Sequence, residues 1–555
     1  MKETWEKRIR GLLKSLLVLC LLVTFYAITR PLNHSESYDT ISYTLFAENF
    51  PVGTAPDSRN ILFHAFNRIL FVASDTLGLN IGTLELLASI SILTGALSLM
   101  LFARLMKTRF GVSTFSAYAG AAFLGLTYGF WRYTGAVEVY IPSIFLTLCS
   151  FTLIFNFLDD PNRSKRTLFA AGVLSGIAVL FYQPNIIVLF GAAFILFCST
   201  RHLLSFFEYS VVGAWVVLTG IALSFIRING TIPTSVGEYV GFITARNVEF
   251  RSPQSLEITI VKGVLAFGHD VLSAHWTRIL DPVRKFLDPY IPGCVYNFNV
   301  VIHAGKSLQH FAAIAAILFV PILFLFTRIH WIAASNWKFA LPKNRTLFLV
   351  AWLVIIGAIV SMIDPGGFEA WIPILVPFAA LLTVLVIEPC YQLGKRKTIL
   401  LFLALLLCYN FFGGMMVWRN TGGDEFYKKT AWIRSELTEN DTVILNEFDY
   451  RMVDYLSYYS DANIAHLFGD TVKIGRGRPD IQSISLDDFI RECEMEKINL
   501  YVMEDVLSPT PAIKQCRDGE EKFKFATELA NRLKENAVLV NSDEMGETFR
   551  IKFAE

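Results

Sequence analysis

The first 419 residues of the chain alternate between long apolar stretches and short polar connections. A membrane-spanning helix needs about 20 predominantly apolar residues. By that measure the pattern predicts about eleven spans, near 11–30, 84–103, 112–130, 137–158, 167–182, 184–200, 208–227, 308–328, 346–363, 370–388 and 398–416. The fifth and sixth are short, and together they could form one broken element. We therefore expect an α-helical polytopic membrane protein.

Composition supports this expectation. Of the 555 residues, 54% are hydrophobic and only 17% are charged, whereas a soluble domain has about 25% charged residues. The net charge of +1 provides no electrostatic footprint for nucleic acid, so no nucleic-acid partner is expected. The eight cysteines form no CxxC pair, which disfavours a disulfide or zinc framework.

Basic residues indicate the orientation, because Lys and Arg collect in cytoplasmic loops. The basic clusters fall on one side if the amphipathic stretch 61–73 lies on the membrane surface rather than through it. This arrangement predicts a cytoplasmic N-terminus and outer loops at 31–83 and 228–307. The protein is then a multi-pass protein of the plasma (inner) membrane.

The tail from residue 420 to 555 differs in composition, with more charged residues and shorter apolar runs. Helical patterns at 431–437, 450–459 and 521–535 alternate with strand patterns at 442–445, 498–503, 537–540 and 548–553. We expect a transmembrane domain over 1–419 and a small extracytoplasmic α/β domain over 420–555.

In this topology the polar and ionisable residues next to the spans gather on the outer side. Such residues are costly to place in or beside a membrane span, so their positions point to a functional site. They come from separate segments and include Glu36, Asp39, Tyr43, Arg59, His64, Arg68, Arg132, Glu138, Tyr140, Gln183, Glu369 and Trp371. Each has an ordinary explanation as well: Asp39 as a solvated loop acid, Glu138 as a helix cap, and Trp371 as part of an interfacial aromatic belt. Their convergence from several segments favours a functional site.

Motifs for nucleotide chemistry are missing from the sequence, which contains no GxxxxGK[ST], GxGxxG or DxD. ATP-driven transport and a metal-bound nucleotide-sugar donor therefore lose support. Chemistry on the outer side without nucleotides requires a substrate that is already activated in the membrane, and a polyprenyl-phosphate-linked sugar meets that requirement.

Over residues 1–415 the chain resembles the GT-C superfamily of integral-membrane glycosyltransferases. The resemblance is to enzymes of the protein O-mannosyltransferase and lipid A aminoarabinose-transferase type, and to membrane proteins with an FW…EVY motif. It is carried by the acidic ESYDTISY segment at 36–43, LFHAFNRI at 62–69, FWRYTGAVEVYIP at 130–142, GIAVLFYQPN at 176–185 and EAWIPILVPF at 369–378.

The resemblance implies that a carboxylate in the first outer loop is the general base of an inverting transfer. Asp39, four residues before Tyr43, matches the family pattern, and Glu36 is the alternative. The implied donor is a polyprenyl- or dolichyl-phosphate sugar in the lipid bilayer, and the acceptor could be a protein, a lipid or a glycan. No cofactor is certain; a divalent metal is possible but not implied.

The resemblance also implies roles for the other residues. Arg132, His64, Arg68 and Arg59 would stabilise the leaving phosphate, Glu138 and Tyr140 would orient the sugar or hold the base, and Gln183 would bind a sugar hydroxyl. Tyr43, Glu369 and Trp371 complete the expected substrate-binding set.

Two other functions agree with the same sequence. A lipid or sugar transporter or flippase would need polar residues at the bilayer midplane and often a repeated half, neither of which is evident. A membrane scaffold or sensor would use only the outer tail for binding.

Overall fold

The structure is a computed structural model. It describes residues 2–34, 37, 39–52, 60–159, 165–186, 189–193, 196, 203–232, 234, 235, 237, 238, 241, 256–273, 305–334, 343–363, 367–419, 424–445, 450–468, 471–474, 482–509, 519–543 and 546–552. The candidate residues Glu36 and Arg59 lie outside the described residues.

The chain divides into two compact units. The transmembrane unit comprises Met1–Pro31, Val52–Ile291 and Lys306–Arg419, and the C-terminal unit comprises Leu32–Pro51, Pro292–Gly305 and Asn420–Glu555. The segment 32–51 therefore belongs with the tail, although it follows the first helix directly in sequence.

Helices make up most of the described chain before residue 420. They are α1 Lys2–Ile28, α2 Asp39–Asn49, α3 Ile61–Thr76, α4 Thr83–Arg109, α5 Thr114–Leu126, α6 Tyr128–Thr134, α7 Tyr140–Asp159, α8 Lys165–Phe181, α9 Leu203–Asn229, α10 Leu256–Val271, α11 Gly305–Ala334, α12 Lys343–Ile363, α13 Leu375–Leu382, α14 Glu388–Gln392, α15 Arg396–Asn410 and α16 Met416–Trp418. The 3₁₀ turns Gln183–Asn185 and Phe368–Ile374 precede apolar helices, and the π-helical turns Thr383–Ile387 and Phe411–Met415 join helices into longer rods.

Among the described residues, six helices are long and apolar enough to cross a membrane, and four apolar helices of 10–17 residues accompany them. The membrane-spanning helices of α1, α4, α7, α9 and α15 lie at predicted positions. Exposed leucines such as Leu12, Leu17 and Leu21 project from α1, as expected for a helix in contact with lipid. The prediction of a polytopic helical membrane protein is confirmed.

The predicted break between the fifth and sixth spans is present at the end of α8. The chain leaves the helix at Tyr182, and the amide of Asn185 donates to the carbonyl of Ala178 at 3.0 Å. The same carbonyl also accepts from the backbone amide of Tyr182 at 3.0 Å, so the Asn185 side chain joins the last helical hydrogen bond and closes the end of the helix.

The described part of the C-terminal unit forms a seven-stranded sheet with the order β4-β3-β2-β1-β5-β7-β6. Strand β1 pairs in parallel with β2 and β5, and the other pairs are antiparallel. The strands are β1 Asp441–Leu445, β2 Asn463–Phe468, β3 Thr471–Ile474, β4 Gln482–Ser485, β5 Asn499–Met503, β6 Ala537–Asp543 and β7 Gly546–Ile551.

The helices of this unit are α17 Glu425–Lys429, α18 Ala431–Glu436, α19 Tyr450–Tyr459, α20 Leu486–Met495, α21 Glu504–Leu507 and α22 Gly519–Lys534. Buried apolar residues form one core with α20 and α22 and another with α18 and α19. The small C-terminal α/β fold is as predicted; the sequence pattern did not indicate β2, β3, β4 or α20.

Candidate functional site

Helix α6 carries the FWRY sequence between two long helices. Thr127, in an extended conformation, separates it from α5, and all seven residues of α6 are buried. The indole nitrogen of Trp131 donates to the Thr29 hydroxyl at 2.8 Å, which attaches α6 to the end of α1. Arg132 is 0% exposed, and its guanidinium carbon lies 5.9 Å from the Tyr133 ring centre and 5.4 Å from that of Trp418.

Glu369 joins three of the predicted site segments. Its carboxylate accepts hydrogen bonds from the hydroxyls of Tyr133 at 3.1 Å and Tyr140 at 3.0 Å. The ring centres of Tyr133 and Tyr140 are 5.6 Å apart, and those of Tyr140 and Tyr182 are 5.1 Å apart. The structure therefore brings the FWRY, EVY, FYQPN and FEAWIP segments together, with the half-buried Gln183 directly after Tyr182.

The turn between α6 and α7 buries the second charged residue of this region. Glu138 is 0% exposed. Burying a charge is costly unless neighbouring groups compensate for it, so Arg132 and Glu138 are integral to the packing of this turn. Trp371 is also buried, with its ring centre 6.1 Å from that of Phe267 on α10.

Helix α10 lies in the region assigned to the second outer loop, and its polar residues were not among the predicted candidates. Lys262, His269 and Asp270 on this helix are all buried. The His269 ring centre lies 4.9 Å from that of Tyr128, and a Cβ atom on Gly129 would lie 2.7 Å from Oδ1 of Asp270. Glycine at position 129 thus permits the close approach of α10 to α6. In the sequence, the apolar run that ends in His269 and Asp270 could have predicted this helix.

Helix α3 places the predicted pair His64 and Arg68 in different surroundings. His64 is buried, whereas Arg68 is half-buried with its guanidinium carbon 5.2 Å from the Phe71 ring centre. Phe63 and Phe66 pack against Phe181 at the end of α8. The exposed apolar residues of α3, such as Ile69, agree with a helix that contacts lipid.

The proposed base belongs to the C-terminal unit. Asp39 is the first residue of α2 and is half-buried, a position in which the helix dipole favours a negative charge. Tyr43, one turn later, is buried. The Ser42 hydroxyl donates to the carboxylate of Asp454 on α19, and the backbone amide of His34 donates to Asp424 at 3.2 Å.

Among the described residues, no three His, Cys, Asp or Glu side chains are grouped so that they could hold a metal ion.

No protein-family model matches the sequence, and no curated protein sequence matches it. Among solved structures, ArnT from Cupriavidus metallidurans bound to undecaprenyl phosphate is similar over 97% of this chain and 98% of its own, with 12% identity and a TM-score of 0.54. ArnT in the apo state covers 98% of both chains at 13% identity and a TM-score of 0.47. The Archaeoglobus fulgidus oligosaccharyltransferase in complex with zinc and sulfate matches 96% of this chain and 72% of its own, at 11% identity and a TM-score of 0.47.

At 12% identity, the likeness to ArnT is one of fold. It extends over nearly the whole of both chains, including the C-terminal sheet. The chain therefore has an ArnT-like fold, in agreement with the fold that its sequence resemblance implies.

Proposed function

We propose that this protein transfers a sugar from a polyprenyl-phosphate-linked donor to an acceptor hydroxyl on the extracytoplasmic side of the membrane. The observation that carries the proposal is the likeness of fold to ArnT, whose structure contains undecaprenyl phosphate. A donor held in the bilayer also agrees with the lack of nucleotide motifs in the sequence.

Basic residues of the transmembrane unit would stabilise the negative charge that develops on the leaving phosphate. Arg68 is half-buried and therefore accessible to a lipid headgroup, whereas His64 and Arg132 are buried. A phosphate would contact Arg132 only after the side chains that cover it move. We therefore assign the first contact with the phosphate to Arg68, and stabilisation after such a movement to Arg132 and His64. Arg59 remains a further candidate.

Asp39 is the proposed general base. Its carboxylate would remove the proton of the acceptor hydroxyl while the hydroxyl oxygen bonds to the anomeric carbon. The bond from that carbon to the phosphate oxygen breaks, and its electron pair leaves with the polyprenyl phosphate. Attack opposite to the leaving group inverts the anomeric centre. Glu36 is the alternative base.

The remaining candidates would bind or orient the sugar. Glu369 already accepts hydrogen bonds from Tyr133 and Tyr140, so we propose that it fixes the two tyrosines rather than contacting the sugar itself. We assign the contacts with the sugar to the other candidates, which are Tyr43, Glu138, Tyr140, Gln183 and Trp371.

The test is donor consumption by the purified full-length protein. A panel of undecaprenyl-phosphate sugars would be incubated with the protein and a membrane lipid extract, and mass spectrometry would measure the release of free undecaprenyl phosphate. We expect one donor to be consumed, with a matching glycosylated product. Movement of a donor across a proteoliposome membrane without release of undecaprenyl phosphate would instead support a transporter.

A further inference from the structure

Helix α2, which carries the proposed base, packs against α19 of the same C-terminal unit. The contact is specific because the buried Ser42 hydroxyl donates to Oδ2 of Asp454. Ser42 lies three residues after Asp39, so the two side chains share one side of the helix. The carboxylate of Asp454 therefore lies next to the helical turn from which Asp39 projects.

A second attachment holds the chain just before α2. The carboxylate of Asp424 accepts hydrogen bonds from the backbone amide of His34 at 3.2 Å, from the Tyr455 hydroxyl at 2.9 Å and from the backbone amide of Tyr427 at 3.0 Å. Tyr455 follows Asp454 on α19, so both attachments involve the same helix. The position of α2 thus depends on residues more than 380 positions later in the sequence.

Asp454 is electrostatically coupled to Asp39. The pKa of Asp454 is raised to about 7: burial is the largest cause, the hydrogen bond from Ser42 lowers the pKa, and the charge of Asp39 raises it. Two neighbouring carboxylates resist ionising together, so the pair tends to keep one proton. The same repulsion acts on Asp39, whose proton affinity rises when Asp454 is ionised.

Asp39 supplies the charge that acts on Asp454. Asp424 also lies beside α19, but its carboxylate is engaged by Tyr427, Tyr455 and His34. The other described charged side chains on elements packed against α19 are Glu48, Lys428, Lys429, Arg434, Glu436 and Asp441.

We infer that Asp454 is a positioning residue for Asp39: it holds α2 through Ser42, and its charge adjusts the proton affinity of the proposed base. The inference rests on the proposed function only in that Asp39 is taken as the base. It gives the C-terminal unit a direct part in the reaction, because this unit carries the base and the acid that controls it.

The first test needs no donor. Purified full-length protein would be titrated between about pH 5 and about pH 9 while difference infrared spectroscopy follows the C=O stretch of protonated carboxyl groups. We expect a carboxyl band with a midpoint near pH 7 that is lost in Asp454→Asn. In Asp39→Asn the midpoint should shift to lower pH, because the neighbouring negative charge is gone.

The matched control is Glu439→Gln, which removes an exposed acid from the same unit. It should keep the wild-type midpoint. Persistence of the band in Asp454→Asn, or an unchanged midpoint in Asp39→Asn, would overturn the inference. This outcome is independent of whether any donor is turned over, so it is distinguishable from failure of the proposed function.

The second test uses the undecaprenyl-phosphate sugar that the panel identifies. In the wild type the kcat profile should show a step near pH 7, where Asp454 ionises beside the already charged Asp39; Asp454→Asn should lose this step while KM for the donor stays the same. Ser42→Ala should lower kcat about fivefold, the equivalent of one ordinary hydrogen bond, and should move the step to higher pH, because the hydrogen bond from Ser42 lowers the pKa of Asp454. A uniform decrease of kcat in Asp454→Asn, with an unchanged pH profile, would reduce Asp454 to a structural role.

Discussion

The two units hold their charged candidate residues in different ways. In the transmembrane unit, Arg132 and Glu138 are completely buried between helices, and Glu369 is engaged by two tyrosines. In the C-terminal unit, Asp39 is half-buried on a short helix that hydrogen bonds attach to its support. Charge in the first region is part of the packing, whereas charge in the second can change without disturbing a core. Substitutions of Asp39 in the C-terminal unit should therefore change activity without changing stability. Substitutions of the buried charges in the transmembrane unit should change both.

The largest expected effect comes from Asp39, the half-buried residue of the C-terminal unit. Asp39→Asn should lower kcat by about 10²- to 10⁴-fold, the usual contribution of a general base. The thermal midpoint should stay near that of the wild type, because the substitution keeps the shape of the side chain. Glu48→Gln on the same helix is the control. Retained turnover in Asp39→Asn would move the assignment of the base to Glu36, with Glu36→Gln as the variant to examine.

Arg132→Met should affect stability as well as activity. Arg132 is fully buried beside the rings of Tyr133 and Trp418, and losing a buried charge of this kind should cost about 3 to 5 kcal/mol. Thermal unfolding in detergent would show a lower midpoint, and Arg104→Met, at an exposed position on α4, should show little change. Equal midpoints for the two variants would mean that Arg132 does not contribute to packing, which would break the comparison.

Glu369 allows a graded test. Glu369→Ala leaves two buried tyrosine hydroxyls without this acceptor and should destabilise the protein by about 2 kcal/mol. Glu369→Gln retains an amide oxygen and should cost about half as much. Glu85→Gln, at the half-exposed salt bridge with Arg30, is the matched control. If the Ala and Gln variants unfold at the same temperature, the tyrosine contacts do not determine stability.

The smallest effect is a dependence on pH in the C-terminal unit. The pKa of Asp454 is raised to about 7 in the folded protein, above about 3.9 when unfolded. The folded state therefore binds more protons between these values, and stability falls as pH rises through this window. Between about pH 6 and about pH 7 the loss should be about 1 kcal/mol. Melting curves of wild type and Asp454→Asn should diverge here; parallel curves would contradict the raised pKa.

The apolar pattern predicted most of the fold, because membrane thickness fixes the length of an apolar helix. In the tail, the helices and strands with clear apolar periodicity were also found. Strands β3 and β4 were missed because each has only four residues and mixes polar with apolar positions. The buried acid Asp270 was missed because its helix lies in a region that topology alone assigned to a loop.

Local sequence patterns could not predict contacts between residues that are far apart in the chain. Glu369 was selected as a candidate, but its bonds to Tyr133 and Tyr140 span more than 220 residues. Asp454 was not selected at all, since within its helix it is one acid on a polar face. Only its contact with Ser42, 412 residues earlier, shows that it belongs with the proposed base.

The distance in sequence between Ser42 and Asp454 also has a consequence for biosynthesis. At about 5 to 20 residues per second, a ribosome needs about 20 to 80 seconds to travel from the first position to the second. For most of that interval α2 is already made but its supporting helix does not yet exist. Nascent chains that stop short of residue 450 can insert every span and still lack the support for α2, so maturation of the protein must wait for nearly the last part of translation.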